Sequence, residues 1–484
     1  MEQSEVASTG GGVALAERSP RRQDPVQPSP AGTMRPPRNA WIRRLLAAAL
    51  LTVMAGTFGM SVVLFFANGG ASQFDDVGDI LVSVGVLSAL TATNALLMMM
   101  LLAARVPLID RVLGQAKATS LHAKLGEWVV LGLVVHALFV LVGYSFLDHS
   151  SIVTESRYLW GDSTNFILAV FAMLALLTLA VTSFACARRR LPYEAWRAVH
   201  LLSYAAIGLA IPHMFSMSGL LAHGSWRRAY WELLLVITGS ALLWFRVLTP
   251  VLRSLRHRVR VERIVRLDAD TFHIELAGRH LDRLHARPGQ FLRWRFFTRS
   301  SFWEDHPFSL SAVPTATTMR VTVRAAGRGT AALAGLTPGT RVAIEGPYGS
   351  FTHDQRTRPS LVLIGAGAGI APIRALLEHT DVTAGAVTVV LRDSDAARIP
   401  LLAEVDALCA ARGARLVVLS GHRAAGGRWV PETDPTLTLA EIAPGIADAD
   451  LFICGPRGFV DDVVADARAA QVPARHIHFE QFTW

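Results

Sequence analysis

The sequence is poor in charged residues and in cysteine. Charged residues make up 18% of the 484 residues, whereas soluble globular domains usually carry about 25%, so the composition favours a membrane protein. The three cysteines, Cys186, Cys409 and Cys454, form no C-x-x-C pair. This spacing excludes a zinc ribbon, a cysteine-ligated iron–sulfur cluster and a disulfide framework. The net charge of +9 lies largely beside apolar runs, where it indicates membrane topology rather than nucleic acid binding.

Long uncharged runs follow a polar N-terminal segment. Residues 1–40 mix Pro, Gly, Ser and Arg without periodicity, which predicts a disordered cytoplasmic tail. A helix that spans a bilayer needs about 20 apolar residues. The run Leu233–Phe245 reaches that length if Trp231 lies at one interface and Arg246 extends to the other. Together with five longer uncharged runs, the run Leu233–Phe245 predicts an all-α six-helix membrane bundle over residues 41–250. The longer runs are Leu45–Phe74, Ile80–Ala104, Trp128–Leu147, Ser163–Ala187 and Ala198–Trp226.

Basic residues flank one side of the predicted bundle. They precede the first run, follow the last, and lie in the second and fourth connections, whereas the first and third connections are acidic or mixed. The fifth connection, with Arg227 and Arg228, is the exception. By the positive-inside rule, the sequence predicts a multi-pass protein of the cell membrane with both termini cytoplasmic.

Four histidines lie in or beside the predicted spans, where ionisable residues usually serve a function. His122 and His136 belong to the third span, and His200 and His213 to the fifth, which runs in the same direction. The spacing of the first two places them on one helix face about 20 Å apart. The sequence therefore predicts two metal centres stacked across the bilayer, one held by His122 with His200 and one by His136 with His213. Bis-imidazole ligation is typical of a haem iron that carries electrons.

The fifth span fits this pattern less closely than the third. Its two histidines are 13 residues apart, which turns His213 about 140° from the face of His200 in an ideal helix. Pro212 precedes His213 and can distort that turn. Each histidine alone could instead be one that hydrogen-bonds across helices, but matched pairs on two helices favour metal ligation.

The pattern changes to short alternating strands after the last span. These strands predict an antiparallel β-barrel over residues 256–355. From Ser360 the order becomes strand, glycine-rich turn and helix, which predicts an α/β doubly wound nucleotide-binding domain over residues 359–484. The predicted buried strands of that domain are Leu361–Ile364, Val387–Leu391, Leu416–Leu419 and Leu451–Ile453.

A glycine-rich turn carries the clearest binding signal in this half. Gly365, Gly367 and Gly369 lie between a predicted strand and a predicted helix. Glycines there let the backbone approach a pyrophosphate, and a helix N-terminus favours the anion. The spacing is not G-x-G-x-x-G, so a purely structural turn stays open as the alternative.

Further motifs follow a fixed order along the chain. HPFSLS begins at His306 and GRGT at Gly327, both within the predicted barrel. CGP begins at Cys454 after the last buried strand, and the chain ends at Trp484. Taken singly, these segments would be ordinary turns, helix starts and packing residues.

The order H-P-F-S, G-R-G-T, G-P-Y-G, G-x-G-x-G-I-A-P, C-G-P and a terminal aromatic resembles the ferredoxin–NADP reductase superfamily. The membrane half is similar to the ferric-reductase-like transmembrane domain. Together they resemble the NADPH oxidase and ferric reductase flavocytochromes over nearly everything after residue 40. The resemblance implies FAD, NADPH and two b-type haems as cofactors, with histidines spaced 13 to 14 residues apart on two helices, as found here.

The resemblance also assigns individual residues. Those implied to hold FAD are His306, Pro307, Phe308, Ser309, Gly327, Gly329, Thr330 and Trp484. Those implied to hold NADPH are Gly365, Gly367, Gly369, Pro372, Cys454 and Gly455. Ser309 near the flavin N5, Cys454 near the nicotinamide and Trp484 stacked on the flavin are implied to take part in catalysis.

Arg392 gives a separate prediction about the coenzyme. It ends the second strand of the nucleotide domain, where NAD enzymes usually place an acidic residue against the ribose. An arginine there can pair with the 2′-phosphate of NADPH, with Arg398 as a possible helper. Asp393 is a counter-signal, and a solvated strand end is the alternative.

The sequence thus predicts a transmembrane oxidoreductase that passes electrons from cytoplasmic NADPH through FAD and two haems to an external acceptor. The expected partners are the lipid bilayer and a small-molecule acceptor, such as a ferric chelate, or a partner redox protein, with no nucleic acid. Oxidases of the family resemble one another in a histidine at the position of Val140 and in a nearby membrane arginine, neither of which is present here. Superoxide production is therefore the alternative. An electron-transfer subunit for a partner protein and a haem-free membrane-anchored flavin reductase also stay open.

Overall fold

Six helices of the described chain are long and apolar enough to cross a membrane. The computed structural model describes residues 40–67, 74–162, 164–183, 193–216, 219–299, 302–380, 385–424, 426 and 428–482. The predicted tail up to residue 39 and Trp484 therefore lie outside the described residues. The spans are Leu45–Phe66, Val77–Ala103, Lys117–Leu147, Thr164–Ser183, Ala195–Ser216 and Trp226–His257.

The helices of the first half extend beyond the apolar runs in several places. The third span begins well before Trp128, so His122 lies inside a continuous helix. The sixth continues past Arg246 through a π-helical turn, Leu243–Leu248, and a short helix that the sequence did not predict fills the third connection. The helices are α1 (Ala40–Phe66), α2 (Val77–Ala103), α3 (Pro107–Leu113), α4 (Gln115–Leu147), α5 (Ile152–Asp162), α6 (Thr164–Ser183), α7 (Tyr193–Ser216), α8 (Trp226–Leu242) and α9 (Thr249–His257).

Helices α2 and α4 pack closely because glycines line both sides of their contact. A Cβ at Gly85 would lie 2.7 Å from Val140 Cγ2, and one at Gly132 would lie 2.9 Å from the Ala92 Cβ. Ser88 Oγ donates a hydrogen bond of 2.8 Å to the Gly132 carbonyl across the same contact. Small residues let two backbones approach in a membrane, so this pair of helices has a fixed spacing.

Two antiparallel three-stranded sheets follow α9, in the orders β1-β2-β5 and β4-β3-β6. Single bridges join Arg260 to Arg341 and Leu310 to Val321. Inward-facing residues of both sheets form one core, which includes Ile274, Trp294 and Phe296. The strands are β1 (Arg260–Arg266), β2 (Thr271–Ala277), β3 (Phe291–Phe296), β4 (His306–Ser309), β5 (Thr318–Arg324) and β6 (Val342–Tyr348), with helix α10 (Arg328–Ala332) after β5.

A five-stranded parallel sheet forms the last part of the chain, in the order β11-β10-β7-β8-β9. Separate apolar clusters cover its two faces, one containing residues of α11 and α12 and the other residues of α13 and α14. Helices on both faces explain the nearly unbroken apolar strands. The elements are β7 (Ser360–Ala366), α11 (Ile370–His379), β8 (Val387–Asp393), α12 (Leu402–Arg412), β9 (Arg415–Ser420), α13 (Leu439–Ile442), β10 (Ala449–Pro456), α14 (Arg457–Ala469) and β11 (Ile477–Phe482).

Candidate functional site

The four membrane histidines form the two pairs expected from their spacing. The ring centroids of His122 and His200 are 6.3 Å apart, and those of His136 and His213 are also 6.3 Å apart. Helix α4 supplies one member of each pair and α7 the other. The 13-residue spacing predicted a mismatch that Pro212 could relieve. Pro212 lies inside α7, and both histidines of this helix lie beside their partners on α4.

Backbone carbonyls of α2 fix the orientation of the α4 imidazoles. His122 Nδ1 lies 3.0 Å from the Met99 carbonyl, and His136 Nδ1 lies 3.1 Å from the Gly85 carbonyl. Because a carbonyl can only accept, each Nδ1 carries the proton and each Nε2 keeps its lone pair. Metal-ligating histidines usually donate their second ring nitrogen in this way, so both rings are oriented as ligands.

The pair geometry fits a metal held between two imidazoles. Metal–imidazole bonds are about 2 Å long and a ring nitrogen lies about 1.1 Å from the ring centre, so the two centroids should be about 6 Å apart. Both observed distances of 6.3 Å match this value. The Nδ1 atom of His213 is also buried and has no hydrogen-bond partner among the described residues. A bis-histidine centre at each pair is therefore sterically and chemically possible.

The HPFS segment forms β4, where three of its four residues are buried. The His306 ring stacks on Phe308 with centroids 5.5 Å apart and the planes 7° from parallel. Burial lowers the pKa of His306, despite the neighbouring Asp305, so a neutral ring is favoured. The Ser309 hydroxyl is buried without a hydrogen-bond partner in the described part of the chain. An unused hydroxyl of this kind can serve a bound ligand.

The GRGT segment lies next to HPFS. The Thr330 hydroxyl accepts hydrogen bonds of 3.1 Å from the Ala326 and Gly327 amides, which shapes the start of α10. A Cβ at Gly329 would lie 2.7 Å from Glu304 Oε2 and 3.7 Å from His306 Cε1. The fold thus brings together the two segments that the resemblance assigns to FAD.

The glycine-rich turn packs directly on the CGP segment. Gly367 has φ +54°, a left-handed conformation that favours glycine. A Cβ at Gly369 would lie 2.2 Å from the Cys454 carbonyl oxygen and 2.8 Å from the Gly455 amide nitrogen. Pro372 follows in the first turn of α11. The residues that the resemblance assigns to NADPH therefore meet at the carboxyl ends of β7 and β10, the usual ligand edge of a parallel sheet.

The environment of the Arg392 side chain differs from the one expected for a cation that binds the ribose 2′-phosphate. The side chain is buried, and its Nε donates to the Trp429 carbonyl at 2.9 Å while one Nη donates to the Gly421 carbonyl at 2.8 Å. The other Nη donates to the backbone of Asp393. Burial and the charge of Arg423 lower the pKa of Arg392, against the opposing effect of Asp393. In this geometry Arg392 holds a loop in place, and each of its three side-chain nitrogens donates to a backbone carbonyl.

Arg324 is a cation at the glycine-rich turn that the sequence analysis did not single out. Its Nη1 donates to Asp393 Oδ2 at 2.9 Å and lies 3.9 Å from the Cβ position of Gly367. The residue ends β5, three positions before Gly327. Its place next to GRGT was readable from the sequence, but its approach to the turn after β7 depends on tertiary packing.

Glu480 is a second residue that the motifs did not reveal. It pairs in register with Cys454 across β10 and β11, and its Oε2 lies 3.1 Å from the Cβ position of Gly349. Burial raises the pKa of Glu480 to about 8. Burial and the Glu480 charge raise the pKa of Cys454 well above its usual range, so this thiol stays protonated. A proton-bearing carboxyl thus lies beside the residue implied to meet the nicotinamide.

Glu404 of α12 links the parallel sheet to the antiparallel strands. It accepts from Arg320 Nη2 and from Arg374 Nε, both at 2.8 Å, and lies 3.3 Å from His273 Nε2. Burial alone would raise the pKa of Glu404, but the bonds from His273 and Arg320 and the two arginine charges together lower it. Glu404 is therefore ionised at neutral pH, and it holds the FAD-type and nucleotide-type parts in a defined arrangement.

Family profiles match both halves of the chain. The ferric reductase like transmembrane component matches residues 88–211, and an FAD-binding domain matches residues 256–352. These matches show a multi-pass membrane protein with a flavin-binding oxidoreductase domain. The predicted resemblance is thereby confirmed at the level of architecture.

Curated relatives match parts of the chain. The reductase component of propane 2-monooxygenase from Rhodococcus jostii is 30% identical over 31% of this chain and 42% of its own length. Ferric reductase transmembrane component 4 of Saccharomyces cerevisiae is 26% identical over 40% of this chain and 31% of its own length. The first of these relatives is thus covered for less than half of its length.

A solved structure is similar to part of the chain. The FAD/NAD-binding domain of nitric oxide dioxygenase from Vibrio cholerae aligns with 47% of this chain and 99% of its own, with a TM-score of 0.39 and 24% identity.

Proposed function

From a chain that has the ferric reductase and NADPH oxidase type of architecture, we propose a membrane reductase that takes electrons from NADPH and delivers them to an acceptor across the membrane. The observation that carries the proposal is the matched geometry of the two histidine pairs, each 6.3 Å between centroids. When bound, FAD would accept a hydride and pass on its two electrons one at a time, and two b-type haems would carry these electrons through the membrane domain.

The membrane residues of this proposal are the four histidines, which would hold the haems in two pairs. His122 with His200 would hold one haem, and His136 with His213 the other. The Met99 and Gly85 carbonyls keep the Nδ1 protons of the α4 ligands in place, so the Nε2 lone pairs point away from α2. A haem held by two histidines would supply electron transfer.

The FAD and nucleotide residues act through placement and proton control. The flavin ring would lie against His306, Phe308 and Ser309. The phosphate groups of FAD would lie against Gly327, Gly329 and Thr330. The six strands β1 to β6 would close as a barrel around one core. The pyrophosphate of NADPH would bind at the glycine-rich turn and the CGP segment, through Gly365, Gly367, Gly369, Pro372 and Gly455. Cys454 stays protonated and Glu480 holds a proton at neutral pH, which keeps negative charge away from the place where a hydride would pass. Trp484 as the aromatic stacked on the flavin stays a prediction.

A ferric chelate or a partner protein is favoured as the acceptor over O₂. Val140 replaces a hydrogen-bonding group with an isopropyl group, and its side chain packs against Gly85 of α2. An apolar contact at that position cannot stabilise a developing superoxide anion. The relative named as a reductase component of a monooxygenase supports delivery to a partner protein as the second candidate.

An alanine substitution in each histidine pair tests the proposal. In the purified full-length protein, His136→Ala and His122→Ala should each reduce the haem content from two to one per chain. Both variants should keep normal FAD content and normal flavin reduction by NADPH, which controls for folding. Two haems per chain in either variant would contradict the ligand assignment, and a wild-type protein without a b-type haem spectrum would favour a haem-free flavin reductase.

A further inference from the structure

Glu404 contacts the antiparallel and the parallel part of the second half at the same time. On the antiparallel side, Arg320 of β5 donates to both carboxylate oxygens, from Nη1 at 3.0 Å and from Nη2 at 2.8 Å. On the parallel side, Arg374 of α11 donates from Nε to Oε2 at 2.8 Å. Two-point contacts between an arginine and a carboxylate fix direction as well as distance. These three residues, here called the Glu404 bridge, therefore hold the two parts in one relative orientation.

The Glu404 bridge reaches both segments that the resemblance assigns to cofactors. Arg320 also donates to Ser311, from Nε to the hydroxyl at 3.2 Å and from Nη2 to the carbonyl at 3.0 Å. Ser311 is fully buried and lies two residues after Ser309, the end of β4. Arg374 lies two residues after Pro372 in α11. A continuous chain of hydrogen bonds thus runs from the segment assigned to FAD to the helix that follows the glycine-rich turn.

A second contact supports the Glu404 bridge. Glu378, one turn after Arg374 in α11, accepts from Arg374 Nη1. Its carboxylate also accepts from the Val313 amide at 2.7 Å, in the stretch that follows Ser311. The side chain of Arg374 is only 10% exposed, so water and salt weaken its contacts less than those of a surface ion pair. The Glu404 bridge is therefore part of a partly buried network that joins the two parts at more than one point.

We propose that Glu404 is a positioning residue for hydride transfer, and that its contacts with Arg320 and Arg374 set the approach of the nicotinamide to the flavin. The inference rests on the proposed function, because it takes FAD to lie along HPFS and NADPH at the glycine-rich turn. In that transfer a hydride leaves NADPH with both electrons of its C–H bond and joins FAD, so NADPH is oxidised and FAD is reduced. A misplacement of about 1 Å between reacting groups can cost about 100-fold in rate. A change in the tilt between the two parts would produce such a misplacement.

Anaerobic stopped-flow reduction of the full-length protein by NADPH tests the bridge without involving the acceptor. Glu404→Gln removes the charge and one acceptor oxygen but keeps the length of the side chain. The limiting rate of flavin reduction should fall by about tenfold or more, whereas the FAD content and the dissociation constant of NADPH should stay close to those of the wild type. The long-wavelength charge-transfer absorption, which requires contact between the nicotinamide and flavin rings, should weaken in parallel.

Glu275→Gln is the matched control. Glu275 lies on β2 and accepts from Arg263 Nε at 2.6 Å within the antiparallel sheet. The same chemical change at this place should leave the rate and the charge-transfer absorption as in the wild type. Arg320→Gln should reproduce the effect of Glu404→Gln. The double variant should be no slower than the slower single variant, because both changes break one link.

A normal rate and normal charge-transfer absorption in Glu404→Gln would overturn the assignment, as would equal losses in Glu404→Gln and Glu275→Gln or multiplied losses in the double variant. Weaker binding of FAD or NADPH in Glu404→Gln with an unchanged limiting rate would show that Glu404 supports one part alone, which also contradicts the proposal. If Glu404→Gln does not fold, Arg320→Gln, which keeps the contact between Arg374 and Glu404, decides by the same measurements. A wild-type protein whose FAD is not reduced by NADPH would instead overturn the proposed function itself.

Discussion

Alanine at Gly85 should selectively weaken binding of the haem proposed between His136 and His213, here called the outer haem. The new Cβ would lie 2.7 Å from Val140 Cγ2 and 3.1 Å from the Val140 amide nitrogen. Carbon atoms usually approach to about 3.5–4.0 Å, so α2 and α4 would have to separate by about 1 Å at this level. That movement would lengthen the contact between the Gly85 carbonyl and His136 Nδ1, now 3.1 Å, to about 4 Å, beyond hydrogen-bond range.

The expected magnitude follows from the role of that carbonyl. Loss of a partner that orients a metal-ligating histidine typically costs about 10- to 100-fold in metal affinity. The outer haem of Gly85→Ala should therefore transfer to apomyoglobin about 10- to 100-fold more readily than in the wild type. The inner haem should be unaffected, because the Met99 carbonyl still holds His122.

Gly132→Ala provides the matched control. Its Cβ would lie 2.9 Å from the Ala92 Cβ in the same helix contact, without touching a histidine. The haem content of both variants is measured from the b-type bands of the purified protein. Equal haem loss in the two variants, or loss in neither, would refute the reasoning.

Three further predictions concern the second half of the chain. Gly369→Ala, whose Cβ would lie 2.2 Å from the Cys454 oxygen, should raise the KM for NADPH by about tenfold or more, since backbone must move. Gly367→Ala has φ +54° but would meet Arg324 Nη1 only at an ordinary contact distance of 3.9 Å, so it should cost only about 1–2 kcal/mol of stability. Similar KM changes in both variants would contradict this. Glu480, with a pKa raised from 4.5 to about 8, loses its proton as pH rises, so stopped-flow flavin reduction should slow above about pH 8 and Glu480→Gln should abolish that slowing. The folded protein binds the extra proton between those two pH values, so the Glu480 contribution to stability falls as pH rises through this window. Arg392→Ala should lower the melting temperature and raise the KM values for NADPH and NADH equally; a selective effect on NADPH would restore the 2′-phosphate assignment.

The helical half was largely readable from the sequence because bilayer thickness sets the length of each span. The six spans follow from that length. The shared face of His122 and His136 follows from the helical repeat, whereas the 13-residue spacing of His200 and His213 does not. His122 was assigned to the first turns of the third helix, but the uncharged run alone does not mark where α4 begins, because residues 115–127 include Lys117, Lys124 and Glu127. The extent of the sixth span was underestimated because Arg246 interrupts the apolar run without ending the helix.

For the second half of the chain, the sequence predicted the order and type of the strands better than the roles of individual side chains. Alternating strands predicted the antiparallel sheets, and unbroken apolar strands predicted the parallel one. Arg392 was assigned from its place at a strand end, but burial and three backbone carbonyls decide where its donors point. Glu480 has no sequence signal, because its high pKa comes from neighbours on other strands.

The number of residues in α2 between Gly85 and Met99 links the two histidine sites. Gly85 and Met99, the carbonyl partners of His136 and His122, are separated by the same number of residues as the two histidines they hold. Each residue of an α-helix turns the chain by about 100° and advances it by about 1.5 Å. Inserting or deleting a single residue between positions 85 and 99 would therefore rotate one carbonyl away from its imidazole while leaving the other in place. Substitutions in this stretch are tolerable where they fit the contact with α4, but a change in its length would disrupt one of the two proposed haem sites.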